Sequence, residues 1–219
     1  MLNELDAPLE YTHLSGKEKT FGLPFQGLVG AEKVRSERVV FLYRDPRDTV
    51  VSAFHQMTSR KKYSLTKKLR LKIRGRMPPF DLEGFVKSPG FGIERIIFFN
   101  LTCAANLDAF AVSYENMRRD PVNTLQSILA YLEQDVAEER IRAVVEDHTI
   151  EKMRQREKDG TYRSNMLGPT DPTNPNSFKA RKGKVGGWRS EMNEATKEFA
   201  EAMLLKHDYF SRMNLLLEN

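Results

Sequence analysis

A single cysteine, Cys103, occurs among 219 residues, so no intrachain disulfide can form, and a reducing compartment is implied. Cys103 lies among apolar residues at helical spacing, which predicts a buried, inert thiol and not a nucleophile. Four histidines and one cysteine make no cluster with metal-ligand spacing, and no metal is expected. No apolar run is long enough to span a membrane, and Met1 to Pro8 lacks the basic-then-apolar order of a secretory leader. The expectation is a cytoplasmic protein. Repeats are also missing, and the one biased segment is basic. Nine of the 35 Lys and Arg residues fall within 60–76 with no acid among them, so the rest of the chain is net acidic although the formal charge is +5. Such a patch suits one anionic partner at one place, and no nucleic-acid partner is expected. Leu65, Leu69 and Ile73 give the segment an amphipathic helical pattern. It reads either as a solvated cationic face or as an entry surface for an anionic acceptor.

The length fits one α/β domain covering 1–219. Val39-Val40-Phe41-Leu42-Tyr43 is a short apolar run rich in β-branched and aromatic residues, bounded by Arg38 and Arg44. It predicts a strand of a parallel sheet, buried on both faces. Pro46 then suits a first helical position, Asp45 can cap, and Asp48 puts negative charge at the positive end of the helix dipole. Arg44 therefore stands at the carboxyl end of the strand, where open α/β sheets bind ligands. Its planar fork suits a phosphate, the hydroxyl of Ser52 can add a donor, and the free amides at the helix start favour the same anion. The structural alternative pairs Arg44 with Asp48 and leaves Ser52 merely packed.

Further along, the helix after Pro46 is expected to reach about Lys62, and Met77-Pro78-Pro79 breaks the pattern. Gly92 to Phe110 reads as a helix with Ile93, Ile96, Ile97 and Leu101 on one face. Phe110 to Glu115 reads as a second buried strand, and Asp120-Pro121 starts a helix carrying Leu125, Ile128 and Leu129. One helix is expected from Ala137 to Lys158, and another from Glu191 to Phe210 using Ala195, Phe199, Ala202 and Met203. Between them, Gly160 to Trp188 is irregular, with five glycines and three prolines. Segments of that length inside compact domains are usually functional or disordered.

Tyr43-Arg44-Asp45-Pro46-Arg47-Asp48 followed by Val50-Val51-Ser52 resembles the 3′-phosphate motif of sulfotransferases that use 3′-phosphoadenosine 5′-phosphosulfate (PAPS). Arg181-Lys182-Gly183-Lys184-Val185-Gly186-Gly187-Trp188 resembles the same family's Arg-Lys-Gly-x-x-Gly-(Asp)-Trp segment, with Gly187 where Asp is common. The resemblance implies a P-loop-NTPase-like parallel sheet flanked by helices, and PAPS or its product 3′-phosphoadenosine 5′-phosphate (PAP) as cofactor. It implies that Arg44, Ser52, Arg181, Lys182 and Gly183 hold the 3′-phosphate. Val112 to Met117 resembles the family's Tyr-Glu-Asp segment, which sets Tyr114 by the adenine; capping the core is its structural alternative. His148 to Met153 resembles the segment that packs on adenine, with Ile150 at that position. Thr12-His13 resembles the Lys-Thr-His segment, which makes His13 the catalytic base, and an unperturbed pKa of about 6.5 suits that task. A hydroxyl or amine of a small-molecule or glycan acceptor would receive the sulfonate. The irregular Gly160 to Trp188 would fold over bound nucleotide as a lid.

One family element has no counterpart. No segment resembles the phosphosulfate loop (Pro-Lys-Ser-Gly-Thr-Thr-Trp or similar), so its first strand and loop are expected to be missing. A late-starting fragment is the expectation, and a degenerate relative the alternative. Two other functions stay open: a nucleotide-binding module without catalysis, and a polyanion binder built on 60–76. Neither the acceptor nor the oligomeric state is legible.

Overall fold

The computed structural model describes residues 38–60, 77–161, 171, 173–178, 180 and 183–217. In chain order these form β1 (Val39–Tyr43), α1 (Pro46–His55), α2 (Leu82–Lys87), α3 (Ile93–Asn106), β2 (Ala109–Ser113), α4 (Tyr114–Arg119), α5 (Pro121–Tyr131), α6 (Glu138–Asp147), α7 (Ile150–Asp159), α8 (Trp188–Glu191), α9 (Glu194–Lys206) and α10 (Tyr209–Leu217). The basic segment 61–76 lies outside the described residues, as do the amphipathic helix and the acceptor surface expected there. Chain contacts divide the described residues into two compact units. One falls within Met1–Asp45, Glu94–His148 and Ala202–Asn219, the other within Pro46–Ile93 and Thr149–Glu201.

The first unit is built on the sheet. Among the described residues it has two strands, β1 and β2, running parallel in the register Val39↔Ala109 to Tyr43↔Ser113. Both strands therefore finish level, at Tyr43 and Ser113. Val112 joins Leu125, Ile128 and Leu129 of α5 and Ile141 and Val144 of α6 in one buried cluster that also takes in Val40 and Phe110. Each fully buried aliphatic side chain of this kind contributes about 1.5–3 kcal/mol. The strand was expected to be covered on both faces, but Leu42 is 52% exposed, outside the cluster that takes in Val40 and its own ladder partner Val112. Cys103 is buried on α3, and burial pushes its thiol up to about 12, as expected of an inert side chain.

Local chemistry explains where the helices depart from the periodic pattern. The second strand stops one residue before Tyr114, because the Ser113 hydroxyl accepts the Asn116 N–H (3.1 Å) and caps α4. The single helix expected over 137–158 is two, because Thr149 caps α7 by accepting the Lys152 N–H (3.3 Å). Gly160, at φ 66°, then terminates α7 in the left-handed region. The C-terminal helix is likewise split into α9 and α10, and α9 buries Thr196, Ala200 and Leu204, one position on from the expected face.

In the second unit, α1 carries the buried Val50 and Val51 and packs on α2, with Phe54 edge-on to Phe85 at 5.6 Å. Its α-helical part ends at His55, short of Lys62, and continues as a π-helical turn over Gln56–Arg60. There the Thr58 hydroxyl donates to the Phe54 carbonyl at 2.8 Å, a back-bond that distorts helices. The short α8 also packs on α1.

Candidate functional site

In the first unit, the parallel register brings two candidate residues together. Position 44 follows β1 and position 114 follows β2, so two residues 70 apart in sequence leave the sheet side by side. The Arg44 guanidinium lies over the Tyr114 ring, 4.3 Å from its centroid. Such a contact is worth about 0.5–2 kcal/mol, and it orients the planar donor fork.

Two helices of the same unit hold the backbone of this turn. The Asp45 N–H donates to Glu115 Oε1 at 3.1 Å, and Asn100 Nδ2 donates to the Arg44 carbonyl at 3.4 Å. Asn100 also donates to the hydroxyl of Tyr209 at 2.8 Å, and both side chains are buried. Burial raises the Tyr209 phenol well above its ordinary range, more than the Asn100 hydrogen bond lowers it. Burial and the nearby Glu115 carboxylate raise Tyr43 as well. Both phenols stay neutral at physiological pH and act as hydrogen-bonding groups beside the turn.

In the second unit, candidate residues lie on α1, α7 and the segment leading into α8. Gly183 has φ +58°, and a Cβ there would stand 2.4 Å from Ile150 Cδ1. A glycine is required on both counts, and its absence of side chain lets Ile150 pack on the backbone of the turn. On its other flank Ile150 lines a hollow of about 380 Å³ with Arg154, Lys158 and Phe178. Asp48, buried on α1, accepts the Gly186 N–H at 2.7 Å and the Trp188 N–H at 3.0 Å. Trp188 is flanked by two guanidinium groups, Arg47 at 4.4 Å and Arg189 at 4.6 Å from the ring centroid. Arg47 is ion-paired with Glu201, and His55 Nε2 meets Glu191 Oε2 at 2.7 Å. Glu157 of α7, also buried, accepts the Ala180 N–H at 3.1 Å.

Of the residues singled out from the sequence, Arg44 is brought against Tyr114, and Ile150 against Gly183. Ser52 is exposed on α1. His13, Arg181 and Lys182 lie outside the described residues, as does part of the segment expected to form a lid, 162–170 included. Among the described residues no group of His, Cys, Asp or Glu could hold a metal ion, and no helix is long and apolar enough to cross a membrane.

Sequence reasoning missed Asn100, Glu115, Glu157 and the true role of Asp48. Asn100 did leave a signal, a lone amide on the helical face of Ile93, Ile97 and Leu101. Asp48 was read only as an acid near a helix start, and nothing local announces partners about 140 residues away.

Residues 100–209, half of the chain, match the family model described as "Sulfotransferase domain", and residues 34–138 match one described as "Sulfotransferase family". An amine sulfotransferase of Oryctolagus cuniculus is 26% identical over 180 residues, which cover 78% of this chain and 54% of that protein. The chain thus spans about half the length of that relative. A mouse sulfotransferase crystallised with PAP superimposes with a TM-score of 0.57 at 18% identity, over 90% of this chain and 67% of the other. Retinol dehydratase in complex with androsterone and PAP gives 0.51 at 20% identity, over 84% and 51%. At these identities the structural likeness establishes a shared α/β fold, and the match across half of the sequence establishes kinship: the chain belongs to the sulfotransferase family.

Proposed function

We propose that the chain binds PAPS and transfers its sulfonate to a hydroxyl or amine of a small-molecule or glycan acceptor. The observation that carries this reading is the pair Arg44 and Tyr114 at the level ends of the parallel strands, a cationic donor fork beside an aromatic face. The residues fit a 3′-phosphorylated adenine nucleotide in a second way. Gly183, at positive φ with Ile150 packed on its backbone, joins an apolar side chain to a turn of the kind that approaches oxyanions closely. When bound, PAPS supplies the activated sulfonate. Arg44, Ser52, Arg181, Lys182 and Gly183 would hold the 3′-phosphate, with Tyr114 and Ile150 against the base. His13, neutral before reaction, would take the acceptor proton as the acceptor's bond to sulfur forms and the bond from sulfur to the departing PAP breaks. Positioning and charge stabilisation carry most of the catalysis in such in-line transfers. The lone buried thiol of Cys103 suits a cytoplasmic location.

A thermal-shift titration with PAP, against adenosine 5′-monophosphate (AMP), tests the binding half. Ligand at 100 times its Kd adds about 2.7 kcal/mol, a shift of roughly 5–10 °C. The shift should require the 3′-phosphate and vanish in Arg44→Ala; equal shifts with PAP and AMP would overturn the assignment. His13→Ala should abolish turnover and leave PAP affinity nearly intact. Because no segment resembles a phosphosulfate loop, PAP binding without turnover would leave a nucleotide-binding module as the function.

A further inference from the structure

We infer that Asp48 and Glu157 are positioning residues for 3′-phosphate recognition, two buried carboxylates that hold the main chain at Ala180 and at Gly186 and Trp188, on either side of Gly183. The inference rests on the PAPS-binding reading above. Glu157 takes the N–H of Ala180, the residue immediately before Arg181, and Asp48 takes those of Gly186 and Trp188, just beyond Gly183. Asp48 is 4% exposed and Glu157 3%. A carboxylate that deep in the protein is costly unless its oxygens are satisfied, and charge-assisted bonds from backbone amides are the strong kind. Each acid thus has a preferred geometry that it imposes on the main chain.

Three local features make this arrangement suit positioning. Gly186, at φ +73°, turns its amide in a way that other residues rarely allow. Trp188 opens α8, whose preceding residue Gly187 has no side chain with which to cap, and Asp48 supplies the missing acceptor from α1. Helix α1 thereby holds the backbone at Gly186 and Trp188. Preorganising a recognition segment raises affinity by removing the ordering cost at binding. A purely structural role for these acids would weaken all nucleotides alike, whereas a positioning role weakens only those that carry the 3′-phosphate.

Trp188 is the only tryptophan of the chain and is 5% exposed, so its emission reports on the clamp directly. The test is fluorescence and calorimetric titration of the full chain, wild type against Asp48→Asn, with PAP and with AMP. The amide of Asn presents a donor to one of the two N–H groups that Asp48 now accepts. PAP affinity should fall by about 10–100-fold, the worth of one hydrogen bond to a charged group, with AMP affinity within about 2-fold of wild type. Trp188 emission should shift to the red with far-UV dichroism unchanged. Retention of the wild-type preference for PAP would overturn the inference. Glu157→Ala is the second variant, and the same selective loss is expected. Failure of both variants to fold would mean a structural role only and would also overturn it. If wild type itself shows no preference for PAP, the functional reading fails instead; the clamp is then judged by Trp188 emission alone, and an unshifted Asp48→Asn spectrum would overturn it.

Discussion

The two groups of candidate residues, one in each unit, are held by different means. At the strand ends, Arg44 is set by the parallel ladder, whose regular hydrogen bonds bring it level with Tyr114. The neighbouring side chains only trim the turn: Asn100 and Tyr209 are neutral, and Glu115 takes one amide. The glycine-rich segment before α8 has no ladder. Its backbone is held by the buried carboxylates Asp48 and Glu157 and by close packing on Ile150. Where regular secondary structure supplies the geometry, one carboxylate bond and neutral polar groups suffice. Where it does not, charge-assisted bonds and special backbone conformations take over.

The sharpest way to break this comparison is at Gly183. Gly183→Ala meets both a left-handed backbone and the Ile150 side chain, and should cost about 2–4 kcal/mol of stability. For a chain of this size that lowers Tm by roughly 5–15 °C in calorimetry. Ile150→Ala in the same chain should recover the steric part and leave the φ penalty. An additive double variant would show that the two residues do not touch.

At the strand ends the losses should be smaller. Asn100→Ala leaves the buried Tyr209 hydroxyl without that donor, at about 1–3 kcal/mol by urea denaturation. Adding Tyr209→Phe should give a total below the sum of the two single losses, because paired polar groups removed together cost less than either orphan. A strictly additive pair would mean that the bond contributes nothing.

Alkaline pH offers a milder probe of the same network. The folded-state pKa of Tyr209 is raised above its unfolded value near 10, so the folded chain keeps a proton that the unfolded chain releases. The stability this contributes is complete below pH 10 and is lost as pH rises above it. Melting curves should therefore fall in Tm above pH 10, and less steeply in Tyr209→Phe. Equal slopes would remove Tyr209 from the account.

The smallest effect should come at Gly187, which stands where the family often has Asp. It is right-handed helical (φ −60°, ψ −25°), and an added Cβ meets only ordinary contacts, 3.5 Å from the Lys184 carbonyl and 3.7 Å from Asp48 Oδ1. Gly187→Ala should be neutral to stabilising by up to about 1 kcal/mol, visible as a small rise in Tm. A marked loss would mean that the turn tolerates no side chain anywhere, erasing its contrast with Gly183.

Much of the fold was legible because its signals are local. An apolar run and a proline located β1 and α1, and Asp120-Pro121 located the start of α5. The boundaries that were misjudged turn on single capping side chains, Ser113 and Thr149, which a hydrophobic period cannot see. The proposed nucleotide-binding residues were legible as residue types in order, but the contacts of Arg44 with Tyr114 and of Ile150 with Gly183 were not.

By itself, then, the sequence determined the strand-to-helix turn, the cationic and aromatic residues at its mouth, the glycines of the second motif and the lone inert thiol. Those follow from propensity and composition within a few residues of chain. The tertiary structure alone decided that register joins 44 to 114, that α7 packs on Gly183, and that Asp48 closes its hydrogen bonds far downstream. Such choices depend on which distant amide or ring arrives within 3–5 Å of a side chain, and no local pattern encodes that distance.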